Sequence, residues 1–152
     1  MKKIVIFICV LICCAFIDID DLSSKKEERL AVQKLVESTY VQVLYNGNKD
    51  LELLRRGFHE DFNMYVYYQE KLSKRTREEW IDKLIEVRKR PKKATNKKRD
   101  YSWKFKRISV EGQTAMVVLE IKENKQLKYT DFLTLYKMEN GWQVMTKLFS
   151  MH

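Results

Sequence analysis

Asp131 is the residue best placed to do chemistry in this chain. It lies mid-run in LKYTDFLTLYKM, residues 127–138, between Tyr129 and Leu133. The β-branched and aromatic content of that run reads as a strand. A carboxylate turned to the interior must be paired or protonated. Asp131 is then either an acid or base in a pocket, or a structural anion bonded to backbone groups or a neighbouring lysine. We favour the structural reading, since structural ion pairs also perturb carboxylates. His59, in FHEDF, could act as a general base or contact a ligand. A histidine at a turn more often bonds local backbone, and that reading is preferred. Catalytic candidates are thus Asp131 and His59.

Tyr40, Phe62, Trp80, Trp103 and Tyr129, with Asp131, form the candidate ligand-binding set. Their rings suit a flat ligand, but aromatics also fill cores, and the helical spacing around Trp80 favours the core for it. Other chemistries lack residues. The only histidines are His59 and His152, and Cys9, Cys13 and Cys14 all fall near the start. No zinc site is expected, nor any other metal or cofactor. The four glycines mark turns or caps, so no phosphate-cradling loop is read.

A hairpin must position Asp131. Asn140-Gly141 between two apolar runs signals a two-residue turn with positive φ at both positions. Setting Glu139 opposite Trp142 puts Trp142, Val144, Leu135, Leu133, Leu148, Asp131 and Ser150 on one face. The other face carries Met138, Tyr136, Met145, Thr134, Lys147, Phe132 and Phe149. On this register Asp131 and Lys147 do not pair.

Upstream, Ser24 and Glu27 read as a capping box opening a helix with Val32, Leu35, Val36, Thr39, Tyr40, Val43 and Leu44 on its buried stripe. That helix should stop at Asn46-Gly47. Asn48 would cap a short second helix ending at Gly57. A strand over 62–69 follows, with Phe62, Met64, Val66 and Tyr68 on one side. Thr76 and Glu79 form another capping box, opening a helix whose stripe is Trp80, Ile81, Leu84, Ile85 and Val87 and whose end is marked by Pro91. A second hairpin, 103–110 with 113–122, turns at Glu111-Gly112. Helices first and strands last predict an α+β fold, with three N-terminal helices packed on a strongly curved antiparallel sheet in a cone-like roll.

The 152-residue chain suits one domain and carries a net charge of +9. Such a surplus points to an anionic neighbour and says nothing of the fold. Lys2 and Lys3 precede an apolar run over 4–17, which reads as a secretory signal cleaved after Ala15. An uncleaved anchor or a lipidated Cys14 are the alternatives. The expected layout is 1–17 signal or membrane anchor, 18–24 linker and 25–152 domain, exported to the periplasm or secreted. The connection RKRPKKATNKKR, residues 88–99, has eight basic residues in twelve. Arg88, Lys89, Arg90, Lys92, Lys93, Lys97, Lys98 and Arg99 could dock on an anionic surface, or simply be solvated. Nucleic acid is not expected, since no stacking aromatics interleave this loop.

The runs YNGNKDLELLRRGFHEDFNM, TREEWIDKLIE and KYTDFLTLYKMENGWQVMTKLF resemble the nuclear transport factor 2-like superfamily, in its putative lumazine-binding, polyketide-cyclase-like branch. The resemblance covers residues 28–149. It implies a long helix and two shorter ones wrapped by a bent sheet around a pocket, and dimers that pair sheet to sheet. It also implies that an aspartate and a tyrosine can serve as proton carrier and oxyanion holder, as in superfamily isomerases. The basic connection is longer than that pattern. The expected function is an exported, non-catalytic small-molecule-binding or dimerisation module with an aromatic pocket. Its ligand would be small and apolar or aromatic, and it would pair through Phe132, Tyr136, Met145 and Phe149. The alternatives are an isomerase, cyclase or dehydratase using Asp131 as acid/base, and an anionic-surface-binding protein working through residues 88–99.

Overall fold

Apolar residues at helical spacing from Val32 to Val43 build the long helix that everything else wraps. In the computed structural model, which describes residues 19–90 and 99–152, this helix is α1 (Ile19–Val36). It continues unbroken through one π-helical turn (Glu37–Val41) into α2 (Gln42–Leu44). Gly47, at φ +82°, supplies the left-handed conformation that ends it, as expected. The start differs. Ser24 lies inside α1, so no capping box opens there and residues 19–24 are helix rather than linker. The expected export segment, 1–17, and residues 91–98 of the basic connection lie outside the described residues.

Asp50, rather than Asn48, bonds the first turn of α3 (Glu52–Gly57): its carboxylate accepts from Glu52 N at 3.0 Å. Gly57 is required by packing. A Cβ there would sit 2.2 Å from Thr39 Oγ1, so only glycine lets α3 close against the π-helical turn. The strand β1 (Phe58–Tyr68) begins four residues earlier than its alternation suggests. It turns through Gln69 and Glu70, both at positive φ, into β2 (Lys71–Thr76), which the sequence does not announce. All six β2 residues are exposed, so no period-2 burial marks it. Thr76 and Glu79 cap α4 (Arg77–Lys89) reciprocally, as expected. Trp80 and Ile81 are buried there, whereas Val87 is half exposed.

A meander completes the chain: β3 (Tyr101–Glu111), β4 (Thr114–Glu123), β5 (Gln126–Met138) and β6 (Gly141–Met151). The spatial order is β2-β1-β6-β5-β4-β3. The fold is α+β, with a curved, unclosed sheet of six strands. The sheet is mixed, because β1 pairs β6 in parallel. An all-antiparallel sheet is therefore corrected: the excursion through β2, α4 and the meander is long enough to bring β6 back alongside β1 in the same direction.

Candidate functional site

The hairpin turn lies one residue earlier than the Asn-Gly signal suggests. Met138 pairs Gly141, the turn residues are Glu139 and Asn140, and only Gly141 takes positive φ, at +103°. Pairing then runs to Leu135–Val144 and slips: Thr134 meets Thr146 and Leu133 meets Lys147. Met145 is the extra residue of a β-bulge. From that point every side chain of β6 changes face. Lys147 turns inward and is 5% exposed, while Leu148 turns outward and is 50% exposed. Phe149 also turns inward, its ring centroid 6.1 Å from that of Tyr129. The expectation that Asp131 and Lys147 do not pair is therefore overturned.

Lys147 Nζ donates to Asp131 Oδ1. Tyr40 Oη donates to Asp131 Oδ2 at 2.6 Å. Asp131 is completely buried. The ammonium also faces two rings, with Nζ 5.2 Å from the Tyr40 centroid and 4.8 Å from that of Phe149. Tyr40 is delivered by the π-helical turn, a distortion that re-aims side chains. Tyr40 Oη in turn lies 3.4 Å from Tyr45 Oη. Burial depresses the Lys147 ammonium below its usual range, against the pull of Asp131. Burial, and then the charge of Asp131, raise the Tyr40 and Tyr45 phenols above theirs. Tyr40 thus stays protonated and donates, and both carboxylate oxygens are occupied. No polar side-chain atom is left unpartnered among the buried, described residues.

The candidate aromatics divide into two groups. Tyr40, Phe62 and Trp80 pack with Phe58 as one solid block, with ring centroids 4.9–6.1 Å apart. Trp103 and Tyr129 are half-buried, and Trp103 Nε1 donates to Glu37 Oε1 at 3.3 Å. Tyr129 belongs to a half-buried aromatic ledge with Tyr45, Tyr101 and Phe149. Tyr45 and Tyr101 meet at a tilt of 58°, with centroids 5.4 Å apart. Burial and the neighbouring Tyr101 raise the Tyr129 phenol. Arg99 beside them pairs Glu123 at 3.2 Å. His59 accepts from Asp61 N at 3.1 Å, a purely local bond. Of the remaining basic residues, Arg88 is tied down, donating to Val43 O and Lys49 O at 2.9 Å each.

Two surface concavities lie away from Asp131. One, about 270 Å3, runs over the outer sheet between Ser109, Met116, Thr134 and Tyr136. The other, about 440 Å3, flanks α1 at Leu30, Lys34, Glu37 and Gln42. Among the described residues, no group of three or more His, Cys, Asp or Glu is gathered as a metal would need. Sequence reasoning missed Lys147, Tyr45, Tyr101 and Phe149 as site residues. A lysine inside the apolar run MTKLF was a usable signal for the first.

Residues 27–150 match the family model described as putative lumazine-binding. The chain belongs to this family. Solved structures similar to it are nuclear transport factor 2-like proteins of unknown function. One from Silicibacter pomeroyi DSS-3 is 25% identical with a TM-score of 0.65, over 84% of this chain and 98% of that one. One from Shewanella baltica OS155 is 20% identical with a TM-score of 0.62, over 84% and 95%. One from Methylobacillus flagellatus KT is 19% identical with a TM-score of 0.58, over 90% and 96%. No curated protein matches the sequence. The putative lumazine-binding family thus accounts for the fold of nearly the whole described chain.

Proposed function

We propose that this chain is an exported, non-catalytic binding module that holds a flat or apolar small molecule on its aromatic ledge and works as a pair of copies. The observation that carries this reading is the complete burial of Asp131 behind Tyr40 and Lys147. A general acid or base needs a free lone pair or proton within reach of substrate. Asp131 is out of such reach, because it is fully buried and each of its oxygens is already engaged, one by Tyr40 and one by Lys147. The half-buried rings of Tyr45, Tyr101, Tyr129 and Phe149 offer stacking area where the hydrogen-bond chain reaches the surface.

The pairing surface is the outer face of the sheet, revised by the bulge. Val118, Phe132 and Leu148 form a cross-strand row, since Val118 pairs Phe132 and Phe132 pairs Leu148. Met116 and Tyr136 flank it, 37% and 49% exposed. Phe149 leaves this face, while Met145 sits at the bulge. Four strands about 4.8 Å apart and about 10 residues long give a platform of roughly 600 Å2. That approaches the ~800 Å2 per partner of a standard interface.

Native mass spectrometry of protein purified from its own host tests the binding reading. The expected result is a retained small molecule, kept in Asp131→Asn and lost in Tyr129→Ala. An apo protein that turns over a carbonyl substrate, and stops when Asp131 becomes Asn with the fold intact, would replace this reading with the enzymatic one.

A further inference from the structure

We propose that the tip of the β1–β2 hairpin is a docking element that seats on an anionic lipid bilayer. The apolar side chains of β1 grow more exposed toward its end. Phe58 and Phe62 are fully buried, whereas Tyr67 and Tyr68 are 67% and 58% exposed. Leu72, opposite Tyr67, is 68% exposed. Cross-strand partners share a face, so Tyr67 and Leu72 stand together on one side of the ribbon. Tyr68, opposite Lys71, stands on the other. Apolar area therefore projects from both faces of a two-stranded ribbon.

The charge is one-sided. Lys71, Lys74 and Arg75 all belong to β2; none forms a salt bridge with a described residue, although Arg75 and Lys74 are near enough to help lower the carboxyl of Glu79 in α4. Glu70 is the one acid in the turn. Lysines alone would be the ordinary protection of a free edge strand such as β2. Two tyrosines and a leucine exposed beside them are what such protection would leave out. A protein partner would have to match a ribbon only about 4.8 Å wide and apolar on both sides. A bilayer interface closes round such a wedge, takes tyrosine at headgroup depth and attracts the basic collar. No described helix is long and apolar enough to cross a membrane.

The test is co-sedimentation of the full chain with phosphatidylcholine vesicles, with and without phosphatidylglycerol, at low and high salt. The difference between the two lipids is read, because residues 4–17 would partition into both. The expected result is a preference for the anionic vesicles that salt weakens. Tyr67→Ser/Tyr68→Ser/Leu72→Ser should abolish the preference with an unchanged circular dichroism spectrum. Lys71→Gln/Lys74→Gln, which leaves the apolar tip alone, should weaken it about five-fold per charge, roughly 25-fold in all. In Tyr67→Trp, brominated phosphatidylglycerol should quench emission beyond the parent's own quenching. Three results would overturn the proposal. One is undiminished anionic binding by the folded serine variant. Another is a bound but unquenched Tyr67→Trp. The last is equal, tip-dependent binding to a polyglutamate peptide, which would make the partner an acidic protein.

Discussion

Replacing Asp131 by asparagine keeps the side chain's shape and removes its charge. Lys147 would then be a cation, 5% exposed, facing an amide and two rings. Removing one partner of a buried ion pair costs about 3–5 kcal/mol. Domains of this kind hold only about 5–15 kcal/mol in all. The melting temperature should fall by roughly 10–15 °C. The sign with pH follows from Lys147, whose folded value is already depressed by burial. Between that value and the unfolded value near 10.4, the unfolded chain binds more protons, so stability rises with pH. Loss of the attraction of Asp131 widens this window downward. The cost of Asp131→Asn should therefore be smaller at about pH 9 than at about pH 7. The raised phenols of Tyr40 and Tyr45 act in the opposite sense, but only above about pH 10, where the unfolded phenols ionise. Urea unfolding at the two pH values measures this. The triple variant Asp131→Leu/Lys147→Met/Tyr40→Phe should regain most of the loss, since apolar replacements of buried pairs are commonly neutral or stabilising. A cost under about 1 kcal/mol at neutral pH, with no recovery on the alkaline side, would mean that the pair is hydrated and the burial argument wrong.

Gly57→Ala should cost about 3 kcal/mol in urea unfolding, at the upper end for overpacking. Thr39→Ala should not rescue it, because Thr39 Cβ itself would lie 2.5 Å from the new methyl. On the outer face, Phe132→Ser/Leu148→Ser should turn the sedimentation mass from two chains to one with little change in melting temperature. Phe149→Ser should instead lower stability and leave the mass unchanged, because that ring packs against Tyr129 and Lys147. A one-chain mass for the parent protein at micromolar concentration would remove the pairing proposal.

Periodicity, caps and turns in the sequence by themselves determined the α+β class, the long helix carrying Tyr40, the capped helix carrying Trp80, and the closing meander with Asp131 on its inner face. Each of these is written locally, over windows of a few turns or one strand. β2 was not legible, because a ribbon exposed on all sides leaves no alternation in KLSKRT. The parallel pairing of β1 with β6 joins residues some eighty positions apart, and no local pattern encodes which way a returning strand runs. The site turned on a single residue. A period of two carries Lys147 outward unless the count slips, and whether Met145 is paired or bulged depends on how β6 must bend around the core. Only the folded sheet decided that. It placed a lysine where the pattern had put a surface residue, closed the aspartate, and left a half-buried ledge of rings and an exposed hairpin.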